Sequence, residues 1–177
     1  MDSKHQFDIS FSSERIDKDG VHGERFRLPN SEKELVDYVL PYALGYGYFP
    51  SAFWGVEARY SIAQDQITSD AFDSAVQLDS LQLGIVVRQP YRNFLFYTKT
   101  GINYYEGYEF VLDKVDFSVN QGKFYGVRPY IGIGVSAFYP VFNWGHEIEI
   151  GGGYTYKTFE RGYSISSLTA TIGYHFF

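Results

Sequence analysis

The chain has 177 residues, of which 45% are hydrophobic and 20% charged, and this composition excludes an intrinsically disordered segment. Its net charge of −6 argues against a nucleic-acid partner, and the absence of cysteine excludes disulfides and thiolate metal sites within it. Aromatic residues make up 20% of the chain, with 17 Tyr and 16 Phe, which favours β-strands and membrane–water interfaces. The length predicts one domain that spans residues 1–177.

The first half of the chain alternates apolar and polar residues with a period of two, which is typical of strands. In one segment, Val56, Ala58 and Tyr60 alternate with Glu57 and Arg59. Residues 38–56 contain no charged residue and form a segment long enough for a membrane helix. Their prolines and glycines, and the alternation of their apolar residues, favour a strand instead. The predicted strands are 5–16, 38–49, 54–66 and 78–88.

The second half repeats the same alternation and predicts four more strands at 93–105, 124–139, 145–157 and 165–177. The run Gly151–Gly153 is not a phosphate-binding loop, because no helix and no Lys-Ser/Thr pair follows it. We expect these glycines to relieve crowding inside a strand.

The links between the predicted strands alternate in length. Short links at 49–53, 89–93 and 139–144 alternate with long polar links at 17–37, 66–77, 106–123 and 158–164. This asymmetry is typical of membrane barrels, which have short periplasmic turns and long external loops. A soluble barrel is the alternative, but it would place large apolar residues inside, whereas here the second face carries small residues and balanced charges. The sequence therefore predicts an all-β, eight-stranded, antiparallel, up-and-down transmembrane β-barrel with both chain ends on the periplasmic side.

Two segments resemble strands of a known family. The ending Thr-Ile-Gly-Tyr-His-Phe-Phe (171–177) and the segment Gly-Val-Arg-Pro-Tyr-Ile-Gly-Ile-Gly-Val (126–135) are similar to strands of the small OmpA-like and OmpW-like outer-membrane barrels. The resemblance implies location in the bacterial outer membrane after removal of a signal peptide, contact with outer-membrane lipid and lipopolysaccharide, and insertion by the barrel assembly machinery through Tyr174, Phe176 and Phe177. Phe177 is out of phase with the last strand, which leaves the register there open.

The inward face of the predicted barrel carries charges of both signs in equal number. An eight-stranded barrel has an interior just wide enough for side chains, so these charges must pair. One interpretation is a plug of salt bridges that closes the lumen, and the other is a gate whose ion pairs exchange to open a narrow path. The predicted network comprises Asp8, Glu57, Arg59, Arg88, Lys99, Arg128, Glu147 and Glu149.

An enzymatic role has little support in the sequence. Lipid-modifying barrels need a nucleophile, a base and an acid together. Of the four histidines only His22 lies in a predicted outer loop, where Ser31 and Asp19 are its nearest candidate partners. Neither the lipid A deacylase motif nor the palmitoyltransferase motif is recognisable. We therefore expect a non-enzymatic protein with no cofactor and no metal site, and keep lipid A modification as a remote alternative.

The predicted outer loops hold the remaining functional signal. The first mixes acidic and basic residues, and the third combines acids with exposed apolar residues, which indicates packing against the rim or a partner surface. We expect a monomer that displays these loops for adhesion, colonisation or resistance to host factors. A narrow channel for ions, small solutes or hydrophobic molecules is the alternative. The predicted partner-binding residues are Asp19, His22, Arg25, Arg27, Glu109, Asp113 and Phe117.

Overall fold

The computed structural model describes residues 4–18, 21–22, 42–68, 72–113, 115–141, 146–159 and 163–176. Within these ranges the regular structure consists of strands, and no helix has the length and hydropathy of a membrane span. The strands are β1 (His5–Lys18), β2 (Val21–His22), β3 (Tyr42–Tyr48), β4 (Trp54–Thr68), β5 (Phe72–Tyr91), β6 (Phe94–Asp113), β7 (Val119–Val141), β8 (His146–Thr158) and β9 (Tyr163–Phe176).

The strands form one antiparallel sheet that closes on itself. Each strand from β3 to β9 pairs with its sequence neighbour, and β1 pairs with β3 on one side and with β9 on the other. The two-residue β2 only extends the end of β1. Eight strands therefore build the barrel, which confirms the predicted fold. His5 lies opposite Phe176, so the two ends of the chain meet at one end of the barrel, called the proximal end below. The opposite end, where β4 joins β5 and β6 joins β7, is called the distal end.

The barrel is apolar outside and polar inside. Along β3, Tyr42, Leu44, Tyr46 and Tyr48 are exposed, while the residues between them are buried. The lumen instead contains buried Ser, Thr, Asn and Gln together with charged side chains. A soluble protein would have the opposite arrangement, because apolar surface that is exposed to water raises the free energy of the folded state. A band of outward apolar residues around closed strands is the arrangement that satisfies both the lipid and the backbone in a membrane.

Aromatic side chains form a girdle at the proximal end of this band. The rings of His5 and Phe176 lie 5.3 Å apart, and Phe7 stacks on Phe176 at 5.8 Å. The hydroxyl of Tyr174 hydrogen-bonds to His146 Nδ1 at 2.8 Å. Tyrosine rings with one polar tip suit the boundary between lipid and water. The girdle marks where the proximal edge of the membrane lies.

Two of the predicted long links are wrong, because strands occupy most of them. β4 continues to Thr68 and β5 begins at Phe72, so residues 66–77 are largely paired. Likewise β6 and β7 occupy most of 106–123 and stay in register up to the pair Leu112–Val119. Beyond the membrane both faces of a sheet meet water, so alternation of apolar and polar residues is no longer required. The period-two pattern therefore fades there although the backbone ladder continues.

Candidate functional site

The centre of the lumen holds two ion pairs that touch several strands. Arg59 Nη2 lies 2.8 Å from Asp8 Oδ1, and Arg59 Nη1 donates to the hydroxyl of Ser10. Lys99 Nζ lies 3.3 Å from Glu57 Oε1, which also accepts a hydrogen bond of 3.0 Å from the hydroxyl of Tyr130. These partners come from β1, β4, β6 and β7. The central cluster, defined as Asp8, Glu57, Arg59, Lys99 and Tyr130, therefore ties opposite walls of the barrel together.

A second cluster lies nearer the proximal end and is built around one amide side chain. Gln6 accepts a hydrogen bond of 2.6 Å from Arg88 Nη2 through Oε1 and donates one of 3.0 Å to Glu149 Oε2 through Nε2. Glu149 Oε2 also accepts from Nε2 of the fully buried His175 at 2.7 Å. The amide thus connects a guanidinium to a carboxylate that do not touch. These four residues are the proximal cluster.

Apolar rings close the lumen beyond both polar clusters. At the proximal end the guanidinium carbon of Arg88 lies 3.0 Å from the centroid of the Phe49 ring, which occupies the space left by two glycines, Gly47 and Gly55. An added Cβ at Gly55 would lie 2.1 Å from that ring. At the distal end a buried cluster fills the lumen with side chains from β5, β6 and β9 and from the residue after β8: Leu78, Tyr105, Phe159 and Ile165, with Phe124 packed against them.

Within the part of the chain that the structure describes, the two polar clusters leave little empty space between them. Among the described residues, the lumen contains cavities with volumes of about 30 and 20 Å³, both lined by the charged clusters and neighbouring hydroxyls. A cavity of this size holds about one water molecule. The geometry is that of a filled lumen, as expected for a barrel of eight strands.

The structure brings together six of the eight residues predicted for the lumen network. Arg128 lies outside both clusters and its side chain is exposed, because β8 pairs with β7 only from Tyr130 onward and no longer covers Arg128. Glu147 lies at the proximal rim, in register with Pro140 and His175. The prediction missed Gln6, Tyr130, His175 and the buried Lys157. All four share the inward phase of their strands, which was the available signal, whereas the predicted network named only acidic residues, arginines and one lysine.

The predicted partner-binding loops are reorganised by the longer strands. Asp19, Arg25 and Arg27 lie outside the described residues, and His22 lies on β2. Glu109 lies on β6 and Asp113 is its last residue, so placing these two in a loop was wrong. Antiparallel pairing with Gly122 of β7 carries Glu109 far from the turn. Phe117 alone lies in the β6–β7 turn, as predicted, and it is 82% exposed.

The β6–β7 turn is shaped by Asp113. Its Oδ1 accepts hydrogen bonds from the backbone amides of Val115 and Asp116 at 2.8 and 3.2 Å, and its own amide donates to Ser118 O at 2.9 Å. Phe117 adopts a left-handed backbone with φ of 51°, a conformation that costs a bulky residue about 1 kcal/mol or more. Asp113 therefore stabilises the turn, and the turn exposes the aromatic ring of Phe117.

Charged residues mark the distal edge of the apolar band. Asp79 and Glu106 lie opposite each other in register on β5 and β6, after an outward run of aliphatic and aromatic residues. Glu106 pairs with Lys123 and accepts a hydrogen bond from Tyr108. The hydrogen bonds from Lys123 and Tyr108 hold the pKa of Glu106 below its usual value, and Glu106 in turn raises the pKa of Lys123. Beyond this row β5, β6 and β7 continue toward the distal end.

The residues expected to meet the assembly machinery lie on the last strand. Tyr174 is outward and exposed, and Phe176 joins the proximal girdle. Phe177 lies outside the described residues. Their role in insertion stays a prediction.

Several solved structures with similar folds are small outer-membrane barrels. No protein-family model matches the chain, and no curated protein matches its sequence. Ail, the attachment invasion locus protein of Yersinia pestis, aligns over 99% of this chain and 100% of its own with a TM-score of 0.66 and 16% identity. Neisserial surface protein A aligns over 97% of both chains with a TM-score of 0.65 and 10% identity. OprG, an outer-membrane protein of Pseudomonas aeruginosa, aligns over 98% of this chain and 96% of its own with a TM-score of 0.56 and 12% identity.

At these identities the comparisons establish the fold alone. That fold agrees with the closed ladder, the outward apolar band and the filled polar lumen. The chain is a closed eight-stranded transmembrane β-barrel, similar in structure to small bacterial outer-membrane proteins.

Proposed function

We propose that the chain is a surface protein of the bacterial outer membrane that binds an extracellular protein through its distal end. The observation that carries this proposal is the length of β5, β6 and β7, which have 20, 20 and 23 residues. A tilted strand needs roughly 9–11 residues to cross a membrane. The remainder projects beyond the charged row at Asp79 and Glu106 as a sheet, here called the distal sheet (63–68, 72–79, 106–113 and 119–125).

One edge of the distal sheet is available for pairing. β8 begins to pair with β7 at Tyr130, so among the described residues 119–129 have β6 as their only neighbouring strand. An unpaired edge presents backbone donors and acceptors that an extended segment of another protein can complete. The side chains along this edge of the distal sheet include exposed Val119 and Tyr125. They supply apolar contacts of the kind that proteins rarely leave in water without a partner.

The charge of the distal sheet and its turns indicates the chemistry of that partner. Residues 63–79 and 106–125 contain eight acidic residues and two lysines, a net charge of 2 − 8 = −6, which equals the net charge of the whole chain. The remaining residues are therefore neutral overall. Charge complementarity favours a basic partner and accelerates its association. The acids are Asp65, Asp70, Asp73, Asp79, Glu106, Glu109, Asp113 and Asp116.

This charge separates the chain from one of its structural neighbours. Ail was crystallised with a heparin analogue, sucrose octasulfate, which is a polyanion. An acidic sheet repels sulfate groups, so we do not extend polyanion binding to the distal sheet. The proposed partner is a protein with an extended basic segment.

The test uses a shortened hairpin that keeps the barrel. Tyr108 and Lys123 are register partners, so an Asn-Gly turn between them replaces 109–122 without disturbing the Glu106–Lys123 pair. The probe is a peptide of alternating lysine and valine, compared with a glutamate–valine peptide and a heparin fragment by fluorescence anisotropy. We expect salt-sensitive binding of the lysine peptide to the full chain and none to the shortened chain.

The matched control is Asp116→Asn together with Glu109→Gln, which lowers the charge and keeps the hairpin. It should weaken binding of the lysine peptide without abolishing it. Equal binding of the glutamate peptide or of heparin, or unchanged binding to the shortened chain, would contradict the proposal.

A further inference from the structure

The outer surface of the barrel carries a groove within the apolar band. One row of register partners runs from Phe96 through Val135, Gly152 and Ala170 to Phe11, across five strands. The middle of the row has small side chains or none, and both ends are phenylalanines. The groove has a volume of about 960 Å³. Its outward lining is almost entirely apolar.

The neighbouring row forms the distal wall of the groove. It contains Ile133, Tyr154 and Leu168, which are in register with one another and exposed. On the proximal side, Ile150 and Ile172 are exposed and in register with each other, but they do not line the groove, which is open there. A smooth barrel surface would present side chains of similar height along all three rows. Here the middle row is recessed, and the backbone of β8 and β9 forms its floor.

Gly152 shows that the recess is not a by-product of packing inside the barrel. An added Cβ at Gly151 would lie 2.5 Å from Ser136 Cβ, and one at Gly153 would lie 2.6 Å from Tyr97 Oη. Both of these glycines are required by crowding in the lumen. An added Cβ at Gly152 would meet only Thr169 O, at 3.3 Å. Gly152 therefore changes the surface that faces the membrane and does little for the interior.

The geometry points to a binding groove for one acyl chain of an outer-leaflet lipid. The groove lies between the proximal aromatic girdle and the distal edge of the band, where hydrocarbon is the medium. The floor and the distal wall provide contacts on two sides of a chain, whereas a flat strand surface provides contacts on one. Each methylene of an acyl chain in the groove gains dispersion contacts that it would lack on the flat barrel surface, where lipids exchange freely.

Hydroxyl groups at the distal rim indicate which leaflet the lipid comes from. Tyr154 Oη on β8 donates to Ser166 Oγ on β9 at 3.0 Å. Ser13, on the adjacent strand β1, also lines the groove. Hydroxyls at this height suit the ester and hydroxyl groups that join acyl chains to a headgroup. The groove is inferred from the surface alone; its assignment to the outer leaflet rests on the orientation in the proposed function.

Two alanines allow a matched test. Ala170 lies in the groove, and Ala58 lies outward on β4, away from it. Refolded protein is incubated with lipid A in one arm and with dipalmitoyl phosphatidylglycerol in the other, and native mass spectrometry counts the lipid that stays bound. We expect the wild-type chain to retain lipid, and Ala170→Leu and Gly152→Leu to lower the retained fraction roughly tenfold, since they fill the floor. Ala58→Leu should not change it.

The lipid arms identify the source: retention of lipid A supports the inference, and retention of the phospholipid alone would overturn it. No retention by the wild-type chain, or equal loss in Ala58→Leu and Ala170→Leu, would overturn the inference. A wild-type dimer that Ala170→Leu converts to a monomer would assign the groove to a second copy instead. Gel mobility of the folded and heated forms verifies that each variant is a barrel. Binding of the basic peptide at the distal sheet is measured separately, so its failure leaves this result unaffected.

Discussion

Lys99 Nζ lies 3.3 Å from Glu57 Oε1 in the middle of the lumen, and the two side chains are only 10% and 11% exposed. β5 separates the strands that carry them, so the pair spans one full strand of the wall. Tyr130 completes the arrangement by donating to the same carboxylate oxygen. Because burial strips water from both ions, each depends on the other for its solvation.

Removing one member of this pair should destabilise the barrel strongly. We expect Glu57→Gln to lower the free energy of unfolding by about 3 kcal/mol, because it leaves the Lys99 ammonium buried with a neutral partner. The double variant Glu57→Gln/Lys99→Met should recover most of that loss. Urea unfolding in detergent micelles measures both, with the exposed Asp116→Asn as control. A double variant less stable than the single one would show that the pair is not the source of the effect.

The filled lumen predicts a barrel that does not conduct. In planar bilayers across a salt series, we expect the refolded chain to insert without steady single-channel openings, because the cavities of about 30 and 20 Å³ each hold about one water. Phe49→Ala removes the proximal ring and should not open a path while the charged clusters stay in place. Steady openings in the wild-type chain would instead favour the gate interpretation, with the central cluster as the exchanging ion pairs.

The three consecutive glycines of β8 should respond differently to alanine. Gly153→Ala should cost roughly 1–3 kcal/mol, since its Cβ would meet Ile133 O at 2.8 Å as well as the Tyr97 hydroxyl. Gly152→Ala should change stability by less than about 1 kcal/mol in either direction, because a flexible residue is lost and only one moderate contact is added. Unfolding midpoints of the two variants provide the comparison. Equal destabilisation would mean that the whole run, including Gly152, serves the interior.

The pKa of the Glu106 carboxyl should lie below the ordinary glutamate value of 4.5. Hydrogen bonds from Lys123 and Tyr108 favour its charged form, so the folded pKa is lower than the unfolded one. Its stabilising contribution is therefore present above pH 4.5 and is lost as the pH falls through the folded pKa. Carbon-detected NMR titration of Glu106 measures the midpoint, and Lys123→Gln should raise it. A midpoint that does not move in Lys123→Gln would show that the pair does not form in solution.

The lumen shows how far strand phase alone can be taken. Period-two alternation is sufficient to place Asp8, Glu57 and Arg59 on the inward face, because a strand turns each side chain to the opposite side of its neighbour. The same rule also places Gln6 and Lys157 on the inward face, so it predicts them as members of the lumen network when every inward polar residue is counted. Phase does not reveal partners, however. The link from Arg88 through Gln6 to Glu149 depends on the shear between β1, β5 and β8, which no local pattern records.

Taken alone, the amino-acid sequence determined the class of fold, the number of barrel strands and the two faces of each one, because a membrane requires closed strands with apolar residues outside. Tertiary structure decided which charges meet, that Arg128 leaves the lumen where β8 ends, and that β5 to β7 continue well past the charged row at Asp79 and Glu106. It also showed that crowding in the lumen requires Gly151 and Gly153, whereas a Cβ at Gly152 would make only one close contact. These outcomes depend on register and on the length of backbone pairing, and a hydrogen-bonded ladder whose two faces are both in water needs no alternating side chains.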